Sequence, residues 1–345
     1  MSELAVLIEE SATRLFEGFA DSDAHVMMEA GEFPEKLWAD FLADGWLRTM
    51  LSEDNEGAGL GLAGGMLLMR LAGYHNVPLP VVESLTGLYL AAEAGLDLDD
   101  ELLIPVVLST IDNNNKKIKL CNVPWARNAK AIVVAFEADG QTQLVQINVD
   151  QFDLVKGNNM AGEPRDNVSF NASLLVAAKP LNNISIEQIL SWLALGRAAQ
   201  MAGALRSVLE RTVEYANERS QFGRQIGKFQ AVQLQLAVQA EMTSASICAV
   251  DAAIRHLGTT EEWELIASAK ITTSESAGYA AKTAHAVHAA IGFTQEYPLQ
   301  LSTRRLWSWR DEYGSETQWS AKLGEHCLQL KTDNLWSWLT TQTGS

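Results

Sequence analysis

The sequence predicts a mostly helical α+β chain in which a small β region separates two helical blocks, and three patterns carry that expectation. From Ser2 to about Gly95 apolar residues recur at helical spacing, broken at Glu56–Gly65 (EGAGLGLAGG) and Asn76–Pro80 (NVPLP). Between Leu102 and Pro180 the pattern changes to short β-rich runs, IPVVLST, AIVVAF, TQLVQIN and ASLLVAA, set apart by Asn, Asp and Gly clusters. Asp112–Lys119 (DNNNKKIK) reads as a solvated hairpin turn. From Ile186 the helical period returns and holds to about Trp338, with long helices predicted over Ile186–Asn217, Phe229–His256 and Glu261–Ala290. The expected boundaries are therefore 1–97 for a helical domain, 98–180 for a β domain and 181–345 for a helical bundle.

Composition narrows the function. With 47% apolar and 20% charged residues the chain is an ordinary globular sequence, and 345 residues suffice for two or three domains sharing a sizeable core. A formal net charge of -17 argues against a nucleic-acid surface, which draws its affinity from Lys and Arg. Cys121, Cys248 and Cys327 are scattered, with no metal-ligand or disulfide spacing, so no metal is expected and a reducing cytoplasm is the expected location. The N-terminal stretch has acids where a signal peptide has basic residues, and no run approaches the roughly 20 apolar residues of a membrane span.

The stretch ERSQFGRQIGKFQ, Glu218–Gln230, joins two predicted long helices. Arg219 offers a planar, permanently charged fork of donors suited to phosphate oxygens. Phe222 could cover an apolar ring, Gly223 lets the backbone turn, and Gln230 carries an amide that both donates and accepts. An ordinary helix connection with solvated arginines would read the same way.

Taken as a whole, ERSQFGRQIGKFQAVQLQLA resembles the signature of the acyl-CoA dehydrogenase family. WADFLADGWLRTMLSEDNEGAGLG is similar to that family's N-terminal helical domain. CNVPWARNAKAIVVAF and GNNMAGEPRDNVSFNASLLV are similar to its middle β domain, and AHAVHAAIGFTQEYPLQL to its C-terminal helices. The resemblance implies an N-terminal helical domain, a truncated β domain, a C-terminal four-helix bundle, FAD, a CoA thioester substrate, and oligomers whose subunits share each flavin site. It assigns Arg219 to the FAD pyrophosphate, and Phe222 and Gln230, with Gly223 at the turn, to the adenosine side of what is expected to be a neighbour's flavin.

The same resemblance exposes departures. The family removes a proton beside the thioester with a carboxylate, usually the Glu of a Glu-Gly-Thr element after GFxxEYP. Counting from Glu296-Tyr297-Pro298 brings that element onto Tyr313-Gly314-Ser315, and a tyrosine with a pKa of about 10 is a poor base. The alternative position, at the start of the first long C-terminal helix, falls on Leu193 or Ala194. Glu312 and Glu316 flank the gap and read as solvated; a one-residue shift would make Glu312 the base, with Asp311 and Glu187 as further fallbacks. Where the family has HGGIGF, this chain reads His288-Ala289-Ala290-Ile291-Gly292-Phe293, and Ala286 replaces a usual glutamine. A segment like TEPGAGSD, which contacts the flavin ring, is missing. His288 reads as a core histidine, Arg304 and Arg305 as surface ion-pair partners, and the tryptophans of LWSWRDEY and NLWSWL as core or interface.

The expectation is a short subunit with a degenerate active site, resembling small subunits of heterotetrameric steroid-side-chain acyl-CoA dehydrogenases. It would lend part of an FAD site while a second subunit supplies the catalytic carboxylate. The alternatives are a homo-oligomeric dehydrogenase using Glu312, and a flavin-free scaffold with the same fold.

Overall fold

The computed structural model describes residues 3–20, 24–108 and 116–330. They fall into two compact units, one of residues up to Ala72 with Val77–Leu193, the other of Gly73–Asn76 with Ala194 onward.

Among the described residues the first unit begins with the α-helices α1 (Glu3–Ala20), α2 (Ala24–Glu29), α3 (Glu35–Ala43), α4 (Gly61–Tyr74) and α5 (Val81–Glu93). Pro80 stands at the cap of α5, where its fixed φ and missing N–H cost nothing. From Val81 to Ala91 only Tyr89 of that helix is not buried, which accounts for its lack of a polar stripe. Gly87 is what lets α5 approach the sheet: a Cβ there would stand 2.2 Å from the Leu103 carbonyl oxygen. Gly87→Ala is expected to cost about 1–3 kcal/mol by overpacking against backbone that has no rotamer to yield, read as a lower urea midpoint.

Two sheets follow. In the larger, β1 (Leu103–Leu108) runs parallel to β3 (Ala131–Ala138), which pairs antiparallel with β4 (Gln141–Asn148), itself edged by the two-residue β7 (Lys179–Pro180). The central β3 is buried from Ala131 to Phe136, as its unbroken apolar run requires. In the smaller, β6 (Arg165–Asn171) lies between β2 (Lys117–Pro124) and β5 (Phe152–Val155). The fully buried Asp166 accepts hydrogen bonds from the backbone N–H of Arg127 (2.8 Å) and Gly157 (3.1 Å) and from Arg127 Nε (2.9 Å), pinning the loop after β2 to β6.

One sequence expectation is corrected here. ASLLVAA is not a strand: Ala172–Ala177 is a 3-10 helix, started by the Asn171 side chain accepting from Ser173 N–H, and Val176 is exposed. Of DNNNKKIK, read as a hairpin turn, residues 112–115 lie outside the described residues, and Lys117–Lys119 begin β2, which pairs with β6.

The second unit is helical. α6 (Ile186–Glu218), most of which belongs to it, α7 (Gln230–Arg255), α8 (Glu262–His288) and α9 (Leu299–Trp309) pack as a bundle, and α10 (Glu316–Gln329) lies against α8. Met201, Leu205 and Val208 of α6 meet Ala277, Ala280 and Ala284 of α8 and Leu306 and Trp309 of α9 in one core. NLWSWL lies outside the described residues, whereas Trp309 is buried and Trp307 stays 40% exposed. Arg305 is corrected from surface to core: it is buried, and its Nη1 donates to Leu301 O at 3.1 Å. Against α8, α7 presents small polar residues, Ser246 Oγ donating to Ser276 Oγ at 2.9 Å. It buries Gln239 and Thr243 while Leu234 and Val238 face outward at 61% and 39% exposure, so part of its apolar surface is on the outside. Among the described residues no helix is long and apolar enough to cross a membrane, and no cluster of metal-ligating side chains occurs.

Candidate functional site

The turn after α6 is a tight hairpin. Ser220-Gln221 pairs antiparallel with Arg224-Gln225, leaving Phe222 and Gly223 as the two turn residues, both with positive φ (50° and 79°). Two left-handed residues in succession match the strand twist of a two-residue hairpin, and glycine takes that conformation without strain. The Ile226 N–H donates to Arg219 O at 2.8 Å and closes the base of the turn over the buried Ile226 side chain. This fold throws Phe222 outward, 91% exposed, edge-on to Phe229. Arg224 covers the Phe229 ring at 4.2 Å, while the exposed Arg219 guanidinium has no hydrogen bond or ion pair among the described residues.

Beside the hairpin is a cleft of about 550 Å³, within the size range of small-ligand sites. Tyr215, Arg219, Phe222 and Phe229 line it, as does the segment Ala286–Ile291 at the end of α8. Of the residues singled out from sequence, Arg219 and Phe222 share this lining; Gly223 sits at the hairpin tip and Gln230 is the exposed first residue of α7, both outside the lining. Gln221, Gln235 and Tyr215, which no local motif marks, do line it.

His288 forms part of this wall as a satisfied core group. Its Nδ1 lies 2.8 Å from Ala284 O, so that nitrogen carries the proton, and its Nε2 accepts from Tyr297 Oη at 3.1 Å. Tyr215 stacks on the ring with centroids 4.4 Å apart. Burial pushes the His288 pKa down and the Tyr297 pKa up, keeping both neutral. The next residue, Ala289, has φ 56° and ψ −139°.

Whether this cleft suits FAD follows from its donor set. One unpartnered guanidinium, exposed aromatic faces and two glutamine amides suit a phosphate and an adenine, the dinucleotide's adenosine half. The Ala286, Ala289 and Ala290 methyls offer that half apolar contact only. The cleft fits part of the cofactor.

Where sequence counting places the base, the described residues put Tyr313 and not a carboxylate. Tyr313 (φ 55°) and Gly314 (φ 101°) form a sharp turn, and Trp319 Nε1 donates to the Tyr313 carbonyl at 3.0 Å. Ser315 then caps α10 in a reciprocal box with Gln318. Glu312 is not the solvated acid expected: its carboxylate lies 2.9 Å from Nη2 of the buried Arg197, and its side chain is only 17% exposed. Arg197 Nη1 also donates to Gln200 Oε1, and its guanidinium lies over the Trp309 and Tyr313 rings at 5.4 and 5.5 Å. Nearby, the fully buried Lys270 donates to Arg310 O at 2.7 Å and Ser274 Oγ at 3.1 Å. Burial lowers the Lys270 pKa to about 7, against an opposing pull from Glu312. Glu316 is pushed up by burial, but its hydrogen bond from Arg310 wins and holds it below the usual carboxylate range. Leu193 and Ala194 are buried and apolar, and Asp311 and Glu187 are exposed. Glu312 and Glu316, on either side of the turn, are thus engaged with arginines.

Residues 184–310 match the family model described as the acyl-CoA dehydrogenase C-terminal domain. Acyl-CoA dehydrogenase IpdE2 of Mycolicibacterium smegmatis is 25% identical over 312 residues, 88% of this chain and 93% of that protein. The chain is similar to acyl-CoA dehydrogenases, through the family model in residues 184–310 and through IpdE2 over most of its length. FAD is the cofactor of acyl-CoA dehydrogenases. The 3-(aryl)acrylate reductase of Clostridium sporogenes is 30% identical over 137 residues, 39% of this chain, and the match spans only 36% of that relative's length. Among solved structures, the fold is shared with a chain of the ChsE4-ChsE5 complex from Mycobacterium tuberculosis at a TM-score of 0.85 and 18% identity, covering 96% of this chain and 99% of that one. It is shared as well with the Tcur3481-Tcur3483 steroid ACAD G363A variant, at 0.84 and 22% identity, covering 94% and 97%. The mostly helical chain with one small β region is therefore the fold expected from sequence.

Proposed function

We propose that this chain is one subunit of an FAD-dependent acyl-CoA dehydrogenase, lending half of a cofactor site to an enzyme whose catalytic carboxylate lies in a second subunit. The observation that carries it is a division within one helical unit: Arg219 and Phe222 stand open to a ligand, while the base position holds Tyr313 and Glu312 is tied to Arg197. Arg219 would hold the pyrophosphate and Phe222 the adenosine, with Gly223 setting the hairpin and Gln230 within reach of the same face. When bound, FAD supplies the hydride acceptor for α,β-desaturation of the thioester. This chain's residues therefore position cofactor, and the proton goes elsewhere.

The likeness to ChsE4-ChsE5 and to the Tcur3481-Tcur3483 steroid ACAD, both named as pairs, supports a mixed tetramer, two of each chain, acting on a steroid side-chain CoA thioester. The outward Leu234 and Val238 of α7 are apolar surface for a neighbouring subunit to cover. The cytoplasm, and a division at residues 97 and 180 into helical, β and helical domains, belong to the same reading.

Co-expression with a second acyl-CoA dehydrogenase chain is expected to give a yellow complex that bleaches with acyl-CoA, whereas this chain alone does not bleach. Arg219→Ala is expected to weaken FAD retention roughly ten- to a hundredfold, the value of a charge-assisted phosphate contact. Bleaching by this chain alone, abolished by Glu312→Gln, would establish a homo-oligomeric enzyme with Glu312 as base. A colourless complex with every partner, unchanged by Arg219→Ala, would leave only a scaffold.

A further inference from the structure

Ala289 holds a conformation that its side chain opposes. Its φ of 56° and ψ of −139° lie close to the roughly (60°, −120°) of the first central residue of a type II′ turn, a position that glycine dominates. Glu56, at φ 55° and ψ 31°, is in the ordinary left-handed region that other residues visit, so the two positive angles are not equivalent. Ala289 ends a 27-residue helix, with its N–H donating to His285 O, and the chain continues directly into a 3-10 turn over Ala289–Phe293. The flanking residues are fixed: His288 is buried and bonded on both ring nitrogens, and Gly292 is buried, with a Cβ there 3.0–3.1 Å from His288, His285 and Leu299 side chains. The surroundings impose the angle, and the methyl bears it. Ala289, Ala290 and Ala286 all line the cleft that Arg219 and Phe222 line.

Strain of this kind persists where surrounding structure over-determines it, and it gathers at ligand sites. We propose that Ala289 is an affinity-setting residue of the cleft: its methyl stands where the backbone would otherwise approach a nucleoside diphosphate, keeping this half-site weak until a second subunit supplies the rest. The proposal rests on the reading of the cleft as an adenosine-diphosphate site. It adds that the weakness is built into one strained residue rather than spread over the missing polar groups. Occupancy then reports assembly, because this chain alone holds its share of the cofactor poorly.

The test uses the purified full chain and ADP, followed by calorimetry, with thermal unfolding of the ligand-free protein as a second readout. Ala289→Gly is expected to raise the ligand-free melting temperature by a few degrees, since relief of strain outweighs the entropy a glycine adds to the unfolded chain. It is expected to tighten ADP roughly tenfold, about the worth of one hydrogen bond to a charged group. Arg219→Ala in the Ala289→Gly background should remove that gain. A melting temperature unchanged or lowered by Ala289→Gly overturns the strain. ADP binding that Arg219→Ala removes but Ala289→Gly leaves unchanged overturns the affinity role while the site itself stands. No ADP binding to either form, with the melting temperature raised, overturns the affinity role and the nucleotide site together.

Discussion

Arg197→Met is expected to destabilise the helical unit by about 3–5 kcal/mol, the range for removing one partner of a buried ion pair. Arg197 and Glu312 have side chains 3% and 17% exposed and lie 2.9 Å apart, so neither charge can turn to bulk water when the other is lost. The substitution also strips the cation from the Trp309 and Tyr313 rings and leaves Gln200 without its donor. Some of the loss is recoverable, because Lys270 already feels Glu312 and would bind its proton more tightly once the repulsion from Arg197 is gone. The double change Arg197→Met with Glu312→Leu is expected to restore much of the stability, since an apolar pair carries no desolvation cost. The midpoint of urea unfolding measures both. Glu312→Gln separates structure from catalysis: a structural ion pair makes it costly to stability, whereas a working base would make it costly to turnover with the midpoint little changed. A loss below about 1 kcal/mol for Arg197→Met would place the pair among solvent-screened surface contacts.

What the sequence disclosed and what it hid divide along range. Gly223 between two long helical periods disclosed a turn, but not the two-residue hairpin, because a bulky residue such as Phe222 rarely takes the positive φ that the hairpin imposes on it. β1, β3 and β4 were legible as apolar runs of strand length. β2 and β6 were not, since KIKLCNVP and RDNVSFN are polar enough to pass for loop, and their pairing comes from residues far away in the chain. The apolar run at Ala172–Ala177 misled in the opposite sense: a side-chain cap at Asn171 outweighed β propensity. The motif brought Arg219 and Phe222 to one cleft, but the Tyr215–His288 stack that forms part of its wall needed α6 and α8 side by side. Glu312 read as solvated for the same reason. Its partner comes from α6 and the neighbouring ammonium from α8, and no local pattern announces either.

Lys270 makes stability depend on pH in a direction opposite to that of an exposed salt bridge. Its folded pKa is lowered to about 7 from the ordinary 10.5, chiefly by burial, with Glu312, Glu316 and Asp311 pulling upward and Arg197 pushing down. Between these values the unfolded chain binds a proton that the folded chain does not, so stability rises with pH. Below pH 7 both states are protonated, and the charge must be accommodated inside the protein at the full desolvation cost. The slope is expected to approach about 1.4 kcal/mol per pH unit, the value for one proton, near pH 8–9. Above pH 10 Tyr74 and Tyr297, both raised first by burial, oppose the trend, because their folded forms retain protons that the unfolded forms release. The informative range is therefore pH 7 to 9.5, and the informative quantity is the difference between wild type and Lys270→Met. Methionine gives up the bonds to Arg310 O and Ser274 Oγ, which offsets the whole curve, but it cannot titrate and so flattens it. Parallel curves for the two proteins would mean that the ammonium stays charged throughout the range. Glu312→Gln provides the cross-check: with the strongest upward pull removed, the folded Lys270 pKa falls further, and the rise in stability begins at lower pH.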